Sequence, residues 1–171
     1  MDLDAFLVAN RRYARTFDLG ALDIVPARRL VILTCMDARL DPLAALGLGL
    51  GDAHVLRNAG GRAKDALRSI ALSCELFAMR RVLVVHHTEC GLEATDDQAL
   101  AARFAARGVS VAGMEFLAFR DLEESVREDV ALLRASPLIA PDVDVDGLIY
   151  DVRTGLLGVV ADEPALPPAR S

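Results

Sequence analysis

Tryptophan is absent and tyrosine occurs only twice, so no aromatic cluster marks out a substrate pocket. Lysine occurs once, at Lys64, and the other basic residues are arginines scattered along the chain. With a net charge of −6 and pI ≈ 5.0, the chain has no basic stripe of the kind on which nucleic-acid binding rests. No run approaches the ~20 apolar residues of a membrane-spanning helix. Between Met1 and Gly20, the residues Asp2, Asp4, Arg11, Arg12 and Arg15 interrupt any apolar core of a signal peptide, and the expected location is the cytoplasm. Three cysteines, an odd number in a chain without export signals, argue against a disulfide framework and leave metal binding or buried thiols. Internal repeats and low-complexity tracts are missing.

What is present is a large apolar fraction. Hydrophobic residues make up 53% of the chain and the mean hydropathy is +0.32, more than one 171-residue domain spanning 1–171 is expected to need. A subunit interface is the natural home for the surplus, so a homodimer or larger assembly is expected.

The pattern along the chain is α/β. A helix is expected over Leu3–Phe17, capped by Asp2 and closed by Gly20. Leu30–Thr34, reading LVILT, is a continuous apolar run of the kind buried on both faces of a sheet, and it delivers Cys35 at its end. A short helical piece at Pro42–Leu46 leads to a strand over Ala53–Arg57, which stops at Asn58-Ala59-Gly60-Gly61. The stretch GLGLGD at Gly47–Asp52 precedes a strand and opens no helix, so it lacks the context of a phosphate loop. A helix follows over Asp65–Met79, with Cys74 packed in it as a small hydrophobe. The strand Arg81–His86, RVLVVH, delivers His87 and Cys90. Later come helices over Asp97–Arg107 and Asp121–Ala135, a surface loop at Pro137–Asp146, a hairpin of Gly147–Val152 with Leu156–Val160, and a proline-bearing tail, 163–171. The predicted fold is a mainly parallel central sheet flanked by helices, with a C-terminal antiparallel hairpin. Ligands in such sheets collect beyond the carboxyl ends of the strands.

Two strands thus present metal-type ligands at their tips. His87-Thr88-Glu89-Cys90 is a His-x-x-Cys pair that lets one loop offer two donors, and Cys35 adds a third; two thiolates and an imidazole suit zinc. His54 and His86 remain as possible fourth ligands, although the strand period turns His86 away from the face of His87. The site is read as open or closed by a carboxylate. Asp37 and Arg39 stand close to Cys35, and a carboxylate fixed by an arginine can bind the metal or accept a hydrogen bond from its water.

CMDAR at Cys35–Arg39 and HTEC at His87–Cys90 resemble the paired signatures of the β-class carbonic anhydrases. RNAGG at Arg57–Gly61 and VVHHTECG up to Gly91 are similar in order and spacing to the short prokaryotic members, so the resemblance covers Leu30–Leu92. It implies Cys35, His87 and Cys90 as zinc ligands and Asp37 with Arg39 as the catalytic pair, and it leaves open a second arrangement in which Asp37 is a fourth ligand in a resting form and swings to Arg39 on activation. It also implies a homodimer or homotetramer whose N-terminal helix, within 1–20, packs on the neighbouring subunit. The implied reaction is the reversible hydration of carbon dioxide to bicarbonate through a zinc-bound hydroxide. Two thiolates temper the pull of the ion on its water, so activity should climb on the alkaline side of neutrality. Larger members have a glutamine-containing, aromatic-lined pocket; with no Trp and only two Tyr in this chain, the substrate-binding residues stay unassigned. No proton shuttle is assigned either, since His54 and His86 read as packed or hydrogen-bonded. The rivals are hydrolysis of carbon disulfide or carbonyl sulfide on the same fold, and a non-catalytic zinc-bound interaction module closed by His54 or Asp37.

Overall fold

The computed structural model describes residues 2–161; the tail expected at 163–171 lies outside them. Five strands, β1 (Leu30–Cys35), β2 (Ala53–Asn58), β3 (Arg81–His87), β4 (Asp144–Tyr150) and β5 (Leu157–Val160), form one sheet in the order β2-β1-β3-β4-β5. The first four are parallel, and β5 runs antiparallel to β4. The helices are α1 (Leu3–Ala14), α2 (Pro42–Ala45), α3 (Ala63–Phe77), α4 (Asp97–Ala105) and α5 (Leu122–Ala135). Aspartates start four of them: Asp2, Asp41, Asp96 and Asp121 each accept from a backbone N–H three residues on, satisfying a donor the helix itself leaves free. Helix α3 ends where Ala78 enters the left-handed region at φ 50°.

Alternation along β1 and β3 sends side chains to two cores. Val31, Leu33, Val82 and Val84 join Ile70 of α3 and Val126, Val130 and Leu133 of α5 in the larger one. Leu30, Ile32 and Val85 face the other side, packed by Leu43, Leu46 and Leu48 around α2. Cys74 is partly buried and packs on the larger core, as its helical spacing predicts. From β1 the chain passes to β2 on one side, and from β2 it crosses to β3 on the other. The tips of β1 and β3 therefore flank a topological switch point, where parallel sheets leave a crevice.

Several boundaries differ from the sequence expectations. Helix α1 stops at Ala14 instead of Phe17; the Thr16 hydroxyl donates to the Tyr13 carbonyl, ending the helix before the apolar pattern ends. The expected loop over Pro137–Asp146 gives way at Asp144 to β4. Asp144 and Asp146 looked loop-like by composition, but they flank the buried Val145 and both carboxylates reach Arg81 on β3, at 2.8 and 3.5 Å. The last pair of strands is correspondingly shifted, with β4 ending at Tyr150 and β5 starting at Leu157. None of the residues of α1 is buried, and Leu3, Phe6, Leu7 and Val8 are exposed. Among the described residues no helix is long and apolar enough to cross a membrane.

Candidate active site

Cys35 closes β1 and His87 closes β3, with Cys90 one short turn further on. All three are buried, and one donor atom from each lies within 4.8 Å of the other two. His87 donates from Nδ1 to the Thr88 carbonyl at 2.9 Å, which leaves the lone pair on Nε2. That atom is buried and has no hydrogen-bond partner among the described residues. A buried polar atom without a partner is costly unless something binds it, and here it faces two sulfurs. The thiols are prepared as well. The Cys90 thiol, donating to Cys35, and the backbone N–H groups of Asp37 and Gly60 favour the Cys35 thiolate, and that same hydrogen bond, with burial, pushes the Cys90 pKa up. One sulfur that favours the thiolate, a second that shares its proton with it, and an imidazole with its lone pair free fit a thiophilic divalent ion such as zinc, which would displace that proton on binding.

Asp37 and Arg39 stand beside this group as a two-point pair, with Nε to Oδ1 at 3.0 Å and Nη2 to Oδ2 at 2.7 Å. The Arg39 backbone N–H also donates to Oδ1 at 2.9 Å. These bonds to Arg39, side chain first, hold the Asp37 carboxyl well below the usual carboxylate range. Its Oδ2 lies 3.9 Å from His87 Nε2, so the carboxylate borders the donor group while both oxygens are engaged by Arg39. Arg57, at the end of β2, donates to three carbonyls of the same loop, those of Cys35 (3.0 Å), Asp37 (2.6 Å) and Leu40 (3.2 Å).

A cavity of about 320 Å³ opens onto Cys35, Cys90 and Asp37, and its remaining wall includes Met36, Ala59 and Leu92. Gly60 has φ 75°, a conformation that favours glycine, and an added Cβ would lie 2.8 Å from Leu92 Cδ1 and displace that side chain from the cavity wall. A second cavity of about 360 Å³ between α4 and α5 is bordered by Asp96, Asp97, Asp121 and Glu124 and touches none of the three donors.

The other two histidines are spent elsewhere. His54 Nδ1 is 2.6 Å from Ser73 Oγ and its ring meets Phe77 edge-on. His86 turns to α5, as the strand period predicts, where Nδ1 lies 2.9 Å from Ser125 Oγ and Nε2 lies 3.2 Å from Asp129 Oδ2. Sequence reasoning missed Arg57, Glu89 and the apolar wall of Met36, Ala59 and Leu92. Arg57 stood inside a quoted motif, but its target carbonyls are only brought near by the parallel pairing of β2 with β1.

Fold and donor set together define an α/β protein with a metal-type site at the carboxyl ends of two adjacent strands. Residues 30–107 match the family model described as carbonic anhydrase. Beta-carbonic anhydrase 1 of Mycobacterium tuberculosis is 36% identical over 159 residues, which span 92% of this chain and 96% of that protein. The crystal structure of carbonic anhydrase from Streptococcus mutans superposes with a TM-score of 0.89 at 43% identity, covering 94% of this chain and 99% of that one. A carbon disulfide hydrolase of Acidithiobacillus thiooxidans is 30% identical over 91% of this chain and 87% of its own length. The chain belongs to the β-class carbonic anhydrase family and is an enzyme of it.

Proposed function

We propose that this chain hydrates carbon dioxide reversibly to bicarbonate, with zinc held by Cys35 Sγ, His87 Nε2 and Cys90 Sγ. The observation that carries the reading is the convergence of these three atoms within 4.8 Å of one another, with His87 Nε2 otherwise unpartnered and a fixed carboxylate alongside. When bound, zinc supplies the Lewis acidity that brings the ionisation of water into the neutral to alkaline range. Asp37, kept ionised by Arg39, can only accept a hydrogen bond, and its Oδ2 is the atom facing the donor group; it orients the reacting water by holding one of its protons. Arg39 fixes that carboxylate in direction as well as charge. Met36, Ala59 and Leu92 offer the incoming molecule an apolar wall, which suits a small uncharged electrophile and gives a charged product little to hold it.

The same wall accepts carbon disulfide or carbonyl sulfide, and the 30% identity to a carbon disulfide hydrolase favours that second reading specifically. A non-catalytic zinc module is less well supported, because His54 is committed to Ser73 and Asp37 to Arg39, leaving neither to close the site. The exposed apolar residues of α1 support a homodimer or homotetramer with α1 on the neighbour. Stopped-flow hydration of carbon dioxide tests the reading. We expect turnover that rises toward alkaline pH and falls roughly 10²- to 10³-fold in Asp37→Ala with zinc retained. A protein inert toward carbon dioxide but active on carbon disulfide transfers the assignment to the second reading.

A further inference from the structure

Arg39 is held from two sides, and Asp37 accounts for only one. On the other, its Nη2 donates to the Glu89 carbonyl at 3.1 Å and its Nη1 to Glu89 Oε2 at 3.3 Å. Glu89 sits in the left-handed region at φ 58°, a conformation that disfavours any residue with a β-carbon. It presents both its backbone carbonyl and its side chain to Arg39. The second carboxylate oxygen, Oε1, is taken by Arg153, which comes from the turn between β4 and β5. That turn is itself secured. Asp151 Oδ1 accepts from the N–H groups of Arg153 and Thr154 at 2.7 and 2.9 Å, and Thr88 is bonded to it through Val152 N (3.1 Å to Oγ1) and the Tyr150 carbonyl (3.0 Å from Thr88 N). The result is a chain of alternating charge, Asp37–Arg39–Glu89–Arg153, that begins beside the metal-type donors and ends on the strand connection of the opposite sheet edge.

We propose that Glu89 is a positioning residue for the reaction, holding the Arg39 guanidinium in the plane from which it fixes Asp37; this rests on the proposed role of the Asp37–Arg39 pair. The side chains concerned are open to solvent, with Arg39 45%, Glu89 42% and Arg153 77% exposed. Ion pairs this exposed contribute little to stability, so their effect here is one of geometry. A long, exposed arginine has many rotamers, and a two-point contact to Asp37 alone leaves the pair free to swing together about the loop. The contacts to Glu89, one of them to main chain, tie that pair to the loop that carries His87 and Cys90.

The test uses the purified protein, Glu89→Ala, Glu89→Gln and Arg153→Ala. We expect Glu89→Ala to lower kcat about 10-fold, in the range seen when outer partners of a metal site are removed, with KM, zinc content and melting temperature unchanged. Arg153→Ala should give a smaller loss that does not add to that of Glu89→Ala. In an Arg39→Ala background, Glu89→Ala should have no further effect. Separately from activity, ¹⁵N spectra of the arginine side chains should show slow rotation of the Arg39 guanidinium in the parent and faster rotation in Glu89→Ala. An Arg39 signal indifferent to residue 89, or a loss of kcat that persists when Arg39 is already alanine, overturns the proposal. Should Glu89→Ala fold poorly, Glu89→Gln, which keeps the side-chain volume and loses the charge, gives the same readouts. A parent inactive toward carbon dioxide would sink the functional reading while the spectra still decide this one.

Discussion

His86 and His87 are neighbours on β3, both completely buried, yet one ring is saturated and the other is not. His86 has Ser125 and Asp129 of α5 on its two nitrogens and Phe119 stacked at 5.7 Å. Behind Asp129 comes Arg62, its Nε 3.3 Å away in an ion contact outside hydrogen-bonding geometry, while its Nη2 donates to Glu128 Oε2 at 3.0 Å. His87, on the opposite face, keeps a bare Nε2 pointed at two sulfurs. Burial therefore does not separate a structural histidine from a ligand. The unspent lone pair does, and in a strand the two roles can alternate from one residue to the next because side chains alternate between faces.

The sharpest way to break that comparison is to delete each ring in turn. His87→Ala should lose its zinc on purification and drop turnover by at least about 10³-fold, with only modest loss of fold. His86→Ala should keep close to one equivalent of zinc, yet lower stability by about 3 kcal/mol, since Asp129 and Ser125 each lose one buried hydrogen bond and the ring leaves a cavity. Metal analysis by plasma emission and urea melts of the two variants decide the matter. Zinc lost from His86→Ala and retained in His87→Ala would reverse the assignment.

A smaller effect sharpens the His86 side. Asp129 is 1% exposed and is the carboxylate that both His86 and Arg62 approach. Removing it in Asp129→Leu leaves the buried Arg62 with only the solvent-exposed Glu128 as counter-charge, for an expected loss of about 3–5 kcal/mol in the single variant, and less in Asp129→Leu combined with Arg62→Met, because the poorly paired cation is gone. A double variant no more stable than Asp129→Leu alone would mean that Arg62 and Asp129 are not coupled through this contact.

These two histidines also show how far the sequence could be read. The continuous apolar runs of β1 and β3 and their period of two were enough to place Cys35 and His87 at strand tips and to turn His86 away, because a strand buried on both faces tolerates little else. CMDAR and HTEC are local, so the grouping of Cys35, His87 and Cys90 with Asp37 and Arg39 was legible too. What was not legible depends on partners far along the chain. Glu89 meets Arg39 and Arg153 across 50 and 64 residues, and only after a left-handed turn that no glycine announces. The partners of His86 lie on α5, whose docking follows from core packing and from no motif. Asp144 and Asp146 read as loop because acidic residues are rare in strands, while their pairing to Arg81 is a cross-strand fact invisible to composition.

Arg57 offers the finest test, because it supports the His87 side of the comparison without touching any donor atom. Its guanidinium faces no carboxylate in its three bonds; it spends its donors on the carbonyls of Cys35, Asp37 and Leu40. A loop whose carbonyls converge on one cation is held in a single shape, and that shape sets where Asp37 begins. Arg57→Ala leaves those carbonyls to water at this partly exposed position, so the cost in stability should be only about 1–2 kcal/mol. Turnover should fall about 10-fold with zinc still bound. Arg57→Lys, a point charge that cannot span three acceptors in one plane, should recover stability more fully than turnover. If lysine restores both equally, the arginine supplies charge alone and the loop geometry is set elsewhere; if neither variant changes turnover, the loop between Cys35 and Leu40 keeps its shape without Arg57.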